Sequence, residues 1–216
     1  YDWILTDFNF FLKAVPHWGK DIKVHRGFWN ALDIVYPRLK TIIGDHMAVG
    51  NKKLFITGHS LGGGLVPLAA YRLAFDGVPV QGVYSFAGPR VGNEEFVEAY
   101  KLKFPNHQRW VFHHDIVTML PFMWFGYRHV SRPNNIYEDG KAVIQDTAFS
   151  GMGKVASHFP AGYLQQLYNL LPGELKVAVP APPAFHVLNG VSDTSLEKKF
   201  KMTRLAQRFF HHLQED

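Results

Sequence analysis

Ser60 stands in Gly58-His59-Ser60-Leu61-Gly62, a G-x-S-x-G that follows a short apolar run and precedes small and apolar residues at helical spacing. A serine hydroxyl becomes a useful nucleophile when a base takes its proton and a third group orients that base. On a strand-to-helix elbow of this kind the three arrive in chain order serine, carboxylate, histidine. Twelve histidines compete for the role of base. Order disfavours those before Ser60, and His59 lies within the elbow itself. His113, His114 and His129 fall around a predicted strand and its loop. His158 falls in a polar, glycine-rich loop, 150–162, ahead of a helix, where it can reach the serine. Order alone does not single out His158. For the carboxylate, Asp115 directly follows a predicted strand, at the end where α/β sheets place functional groups. Asp146, after a later strand, is the alternative, and Glu94, Glu95 and Glu98 read as a solvated helix face. The backbone N–H of Leu61, the residue after the nucleophile, would be one oxyanion donor.

These groups need elements to hold them. Leu54, Phe55 and Ile56 predict a buried strand, and 61–75 predicts a helix with Leu61, Leu65, Leu68 and Ala69 in register and an end near Gly77. An elbow this tight predicts clashes for bulky residues at Gly58 and Gly62, and Gly63 and Gly64 extend the close approach. Pro67, inside the helix, lacks an N–H and should bend it. Further strands are predicted at 80–86 and 109–112, with a helix at 94–103 between them, so the chain reads as an α/β fold with a mostly parallel sheet covered by helices on both faces. Residues 1–25 predict a helical turn followed by loop. Residues 28–43 predict an amphipathic helix with Phe28, Leu32, Val35, Leu39 and Ile42 on one face and a kink or break at Pro37. Residues 127–131 and 142–145 predict a hairpin-like extension, and 162–171 a last core helix. The expected organisation is a domain over 1–171, a proline-rich linker over 172–191, and a C-terminal amphipathic helix over 192–216 carrying Leu196, Phe200, Leu205, Phe209 and Leu213. Docking of that helix on the domain is favoured over a membrane surface, since its acids nearly balance its bases.

At 216 residues the chain can bury a proper core without staples. With no cysteine, thiol catalysis and thiolate metal sites are excluded, and no metal or cofactor is expected. The formal charge of +5 is scattered along the chain, which argues against nucleic acid as a partner. No apolar run is long enough to span a bilayer, and the N-terminus does not have the pattern of a signal peptide.

Five ordered blocks carry a resemblance: Val24-His25-Arg26-Gly27-Phe28, the elbow through Gly63, Phe86-Ala87-Gly88-Pro89-Arg90-Val91-Gly92-Asn93, Asp115-Ile116-Val117 with Leu120-Pro121, and His158 ahead of Tyr163. Over about 1–170 the chain resembles the class 3, fungal-type triacylglycerol lipases of the α/β-hydrolase superfamily. The resemblance implies Ser60 as nucleophile, Asp115 as orienting carboxylate and His158 as base, acting on lipid or other esters, with a weak leaning toward an extracellular location. It also implies that Asp2-Trp3 matches a block lying downstream of the second oxyanion donor, so that donor is expected from an upstream segment, cleaved or present as another chain, and that the lid lies near that segment, overlapping 1–5. His59 and the run Pro121, Phe122, Trp124 are candidates for a substrate groove, although aromatic runs are more often core. Two other functions compete: a carboxylesterase for short or soluble esters, and an inactive α/β-hydrolase scaffold used for binding.

Overall fold

The computed structural model describes residues 10–137, 139–144 and 156–182. Within the segment expected to be turn and loop, two three-residue strands, β1 (Leu12–Ala14) and β2 (Lys23–His25), pair antiparallel. Helix α1 (Arg26–Met47) follows at once, with His25 as its cap: His25 Nδ1 accepts from the Phe28 N–H at 3.3 Å. The helix runs unbroken through Pro37, whose ring is on the exposed side, so the expected break does not occur. Its buried face also differs from the predicted one. Phe28 and Leu32 are buried, but with Trp29, Ala31 and Tyr36, while Val35 and Ile42 face outward. The two large rings decide the rotation, because Arg72 of the next helix lies over both Tyr36 and Trp29.

The central sheet has the sequential order β3 (Phe55–His59), β4 (Gly82–Phe86), β5 (Gln108–Phe112), β6 (Pro133–Ile136) and β7 (Ala142–Val143). The first four are parallel and β7 returns antiparallel, as expected for a mostly parallel sheet with a hairpin at one edge. The hairpin's first strand is β6 rather than 127–131. Asn134 and Asn135 suggest a turn, yet Asn134 is fully buried and donates from Nδ2 to Gln108 Oε1 on β5 at 2.8 Å, so a buried partner overrides the turn signal.

Helix α2 (Leu61–Phe75) matches its predicted bounds, as does α3 (Glu94–Lys103), capped by Asn93. Rather than one apolar stripe, α2 is buried nearly all round, packed between the sheet and α1. Pro67 does not interrupt it. The Gly63 carbonyl, which Pro67 leaves without its helical donor, faces the Gly88 backbone so closely that a Cβ on Gly88 would lie 2.9 Å from it. Helix α4 (Pro160–Leu170) covers the other face, where Tyr163 joins Ala87, Phe112 and Ile136 in a core cluster beneath the strand ends. A short helix, α5 (Gly173–Lys176), lies within the expected extended linker. The C-terminal helix over 192–216 lies outside the described residues.

Candidate active site

Strand β3 ends at His59, and the next residue turns through a conformation that side chains rarely adopt: Ser60 has φ 59° and ψ −123°. Helix α2 starts on the following residue. Gly58 and Gly63 are required by neighbouring backbone, and Gly64 by the side chains of Phe28 and Pro89. A Cβ on Gly58 would lie 2.5 Å from the Gly62 carbonyl carbon and oxygen, and one on Gly63 would lie 2.7 Å from Phe86 O. Gly62 differs from expectation, since a Cβ there meets nothing within 4 Å. Crowding at the elbow falls on Gly58, Gly63 and Gly64. As the first residue of α2, Leu61 has an N–H with no acceptor in its own helix, as the oxyanion role requires.

Asp115 follows β5 after the sharp turn at His113, whose φ is 49°. Its side chain is fully buried and caps the 3-10 turn Ile116–Met119, where Val117 N–H donates to Oδ1 at 3.0 Å. His158 closes a second 3-10 turn, Ala156–His158, just before Pro160 opens α4. Its Nδ1 lies 3.0 and 3.1 Å from the two Asp115 oxygens, and its Nε2 lies 2.7 Å from Ser60 Oγ. A carboxylate only accepts, so Nδ1 carries the proton and Nε2 is left to accept from the serine hydroxyl. Residues at 60, 115 and 158 therefore form one hydrogen-bonded relay, and only 15% of the His158 side chain is exposed. Asp146 lies outside the described residues.

Tyr163 is the participant that chain order does not reveal. From the first turn of α4 its O–H donates to Asp115 Oδ2 at 2.6 Å. Burial, followed by the adjacent Asp115 charge, holds the phenol well above its ordinary range and hence protonated. Its position one turn beyond His158, at the start of a helix, is the signal that could have marked it. His59 is not a free wall residue. Its ring packs 5.0 Å from that of His158 and edge-on to Tyr163, and its buried Nε2 has no hydrogen-bond partner among the described residues. Burial, with the His158 charge second, lowers it to about 4, so it is neutral beside His158. Pro121 is buried and its carbonyl accepts from Arg90. Phe122 stacks on Trp124 at 4.4 Å, and Trp124 is 76% exposed. No described ring contact or hydrogen bond ties this pair to Ser60 or His158. His113 and His129 line a cavity beside Asp115 rather than reaching the serine.

A serine on a strand-to-helix elbow, with aspartate and histidine meeting it from the carboxyl ends of a parallel sheet, defines an α/β-hydrolase. The model of the Lipase (class 3) family matches residues 1–125, and the chain belongs to that family. Among its relatives is the secreted mono- and diacylglycerol lipase A of Penicillium cyclopium, 33% identical over 138 residues, which span 58% of this chain and 44% of that one. The secreted mono- and diacylglycerol lipase 1 of Fusarium solani is 36% identical over 134 residues, spanning 60% of this chain and 38% of that one. The crystal structure of the mono- and diacylglycerol lipase of Aspergillus oryzae superposes with a TM-score of 0.62 at 26% identity, over 71% of this chain and 64% of that one. The chain thus spans less than half the length of these two sequence relatives.

Proposed function

We propose that the protein hydrolyses carboxylic esters of acylglycerols through an acyl-enzyme on Ser60. The observation that supports this most is the continuous Ser60–His158–Asp115 relay, with its 2.7 Å Oγ–Nε2 contact. In this reading His158 takes the hydroxyl proton as Oγ attacks the ester carbonyl, and Asp115 holds the imidazole tautomer and offsets the charge that forms on it. His158 then returns the proton to the leaving alcohol, and water, activated by the same base, releases the fatty acid. Leu61 N–H supplies one oxyanion donor. Strand β3 is paired on one side only among the described strands, which favours a further strand of the protein along that edge as the source of the second donor. Loss of such a donor lowers turnover by about 10²–10³. The relatives named as secreted mono- and diacylglycerol lipases favour acylglycerols as substrates, presented at a lipid–water interface, and an extracellular location.

Labelling with an alkyl fluorophosphonate tests the reading. An adduct on Ser60, lost in Ser60→Ala, together with higher rates on emulsified than on dissolved esters, is the expected result. A folded protein that takes no label refutes the nucleophile assignment, and equal rates on both ester forms refute the interfacial part alone.

A further inference from the structure

Asp115 also borders a cavity of about 100 Å³ that Ser60 and His158 do not line; Arg90, Arg109, His113, His129, Thr118 and Asn135 are among its walls. Two arginines in one buried wall is an unusual arrangement, because a guanidinium taken out of water needs an anion nearby. Arg90 is 9% exposed and Arg109 6% exposed. Neither has a carboxylate within 4 Å among the described residues. Arg90 donates from one terminal nitrogen to the carbonyls of Met119 and Pro121. Arg109 donates from Nε to Ser131 O at 3.0 Å, and its two terminal amino groups make no protein hydrogen bond among the described residues. His129 adds no charge. It shares Nε2 with the Thr118 carbonyl at 2.8 Å, and burial, then Arg109 and Arg90, hold it well below its ordinary range.

Asp115 also reaches this cavity, and it is the obvious counter-charge to consider. Its oxygens are taken by Val117 N–H, His158 Nδ1 and the Tyr163 hydroxyl, and no arginine is among these partners. Among the described residues, a single carboxylate committed elsewhere leaves the two buried arginines with an excess of positive charge. The cavity holds several times the volume that one water molecule needs. Planar forks with free N–H pairs match the two oxygens of a small oxyanion in a way that a spherical ion does not.

We infer that this cavity is a binding site for a small oxyanion, a carboxylate or inorganic phosphate, held by Arg109 and Arg90 beside Asp115. The bound anion neutralises the excess charge and stiffens the wall that carries Asp115.

Thermal unfolding of the full chain is followed in acetate, in phosphate, in chloride, and in a bulky organic sulfonate too large for the cavity, all at one ionic strength and pH. The inference expects a saturable rise in Tm with acetate or phosphate, about 3–6 °C at ten times the dissociation constant, and none with the sulfonate. Acetate acting alone assigns the carboxylate, and phosphate acting alone assigns the phosphate. Arg109→Met abolishes the rise, and titration calorimetry of the wild-type protein reads the same binding without a variant if Arg109→Met does not fold. Equal, unsaturable responses to all four anions overturn the site, and a rise as large with chloride overturns its assignment to oxyanions.

Discussion

Replacing Tyr163 by phenylalanine removes one hydroxyl from the least exposed part of the site and leaves the ring in place. The ring contacts with Phe112 at 5.9 Å and His59 at 5.5 Å do not involve the oxygen, so packing is preserved. What is lost is the 2.6 Å donation to Asp115 Oδ2, which then keeps only the 3.1 Å contact with His158. A hydrogen bond to a charged buried group contributes about 1.5–3 kcal/mol. In a chain of 216 residues each kcal/mol moves Tm by about 2–4 °C, so the variant should melt about 3–12 °C below wild type. Turnover should respond differently. Tyr163 touches neither Ser60 nor the Nε2 side of His158, so kcat on a soluble ester should fall far less than the loss of about 10⁴ expected for Asp115→Asn, which disturbs the tautomer itself. Calorimetry and initial rates on the same preparations give both numbers. A Tm within about 1 °C of wild type would show that the hydroxyl does not support the buried carboxylate. A kcat as low as that of Asp115→Asn would show instead that Tyr163 acts in the chemistry.

Other substitutions test the elbow and the buried histidines. Gly58→Ala forces a Cβ to within 2.5 Å of the Gly62 backbone and should cost about 1–3 kcal/mol with loss of ester hydrolysis, whereas Gly62→Ala, with nothing within 4 Å, should melt no lower than wild type. Equal melting of the two variants would contradict the assignment of crowding to Gly58. At Ser60, φ 59° and ψ −123° penalise any Cβ, so Ser60→Gly should be more stable than Ser60→Ala by about 1–2 kcal/mol in denaturant titration, although both are inactive. His107 is fully buried between the Ser85 and Tyr100 hydroxyls, and burial, then the Arg109 charge, lowers it to about 3. The unfolded chain binds a proton at His107 below its ordinary value near 6.5, while the folded chain does not until about 3, so this contribution to stability is complete above pH 6.5 and declines as pH falls toward 3. His107→Gln should therefore reduce proton uptake on unfolding at pH 5 by about one, read from the slope of Tm against pH, and an unchanged slope would be inconsistent with a neutral buried imidazole.

The elements that could be read from residue order were those with strong local signals. Helices at 61–75 and 94–103 appear with the bounds that periodicity predicts, and the structure adds the Asn93 side chain as the α3 cap. Strands of three residues, β1 and β2, are too short for an alternating pattern to emerge, and they form because the β2 backbone is anchored from afar: His25 N–H donates to Val91 O and Lys23 N–H to Asn93 Oδ1. The face of α1 was misread for a related reason. Periodicity weighs Val35 and Ile42 equally with Trp29 and Tyr36, whereas the packing partner, Arg72, selects the large rings. At the site, chain order and strand ends brought Ser60, Asp115 and His158 to the fore, and the three do meet. Tyr163 stood beside His158 in the sequence, but its bond to Asp115 and the Arg90–Arg109 wall were not legible, because each depends on contacts across tens of residues that leave no local pattern.

Three residues other than glycine adopt positive φ among those described, and all three directly follow parallel strands: Ser60 after β3, Ala87 after β4 and His113 after β5. Each costs about 1 kcal/mol or more, so something must hold it there. The same bond recurs at each. Ser60 N–H donates to Phe86 O, Ala87 N–H to Trp110 O, and His113 N–H to Ile136 O, so every strained residue extends the parallel ladder by one rung onto the next strand before the chain turns away. The ladder therefore sets the height at which each chain leaves the sheet. Ser60 is the rung above β3, and Asp115 comes two residues beyond the rung above β5, with the Phe86–Ala87 step between them. Ser60 and Asp115 are consequently positioned by backbone pairing across four strands, while His158 reaches them from the turn that precedes α4. Substitutions that disturb β4 should misplace Ser60 and Asp115 together, even though β4 contributes no side chain to the relay itself.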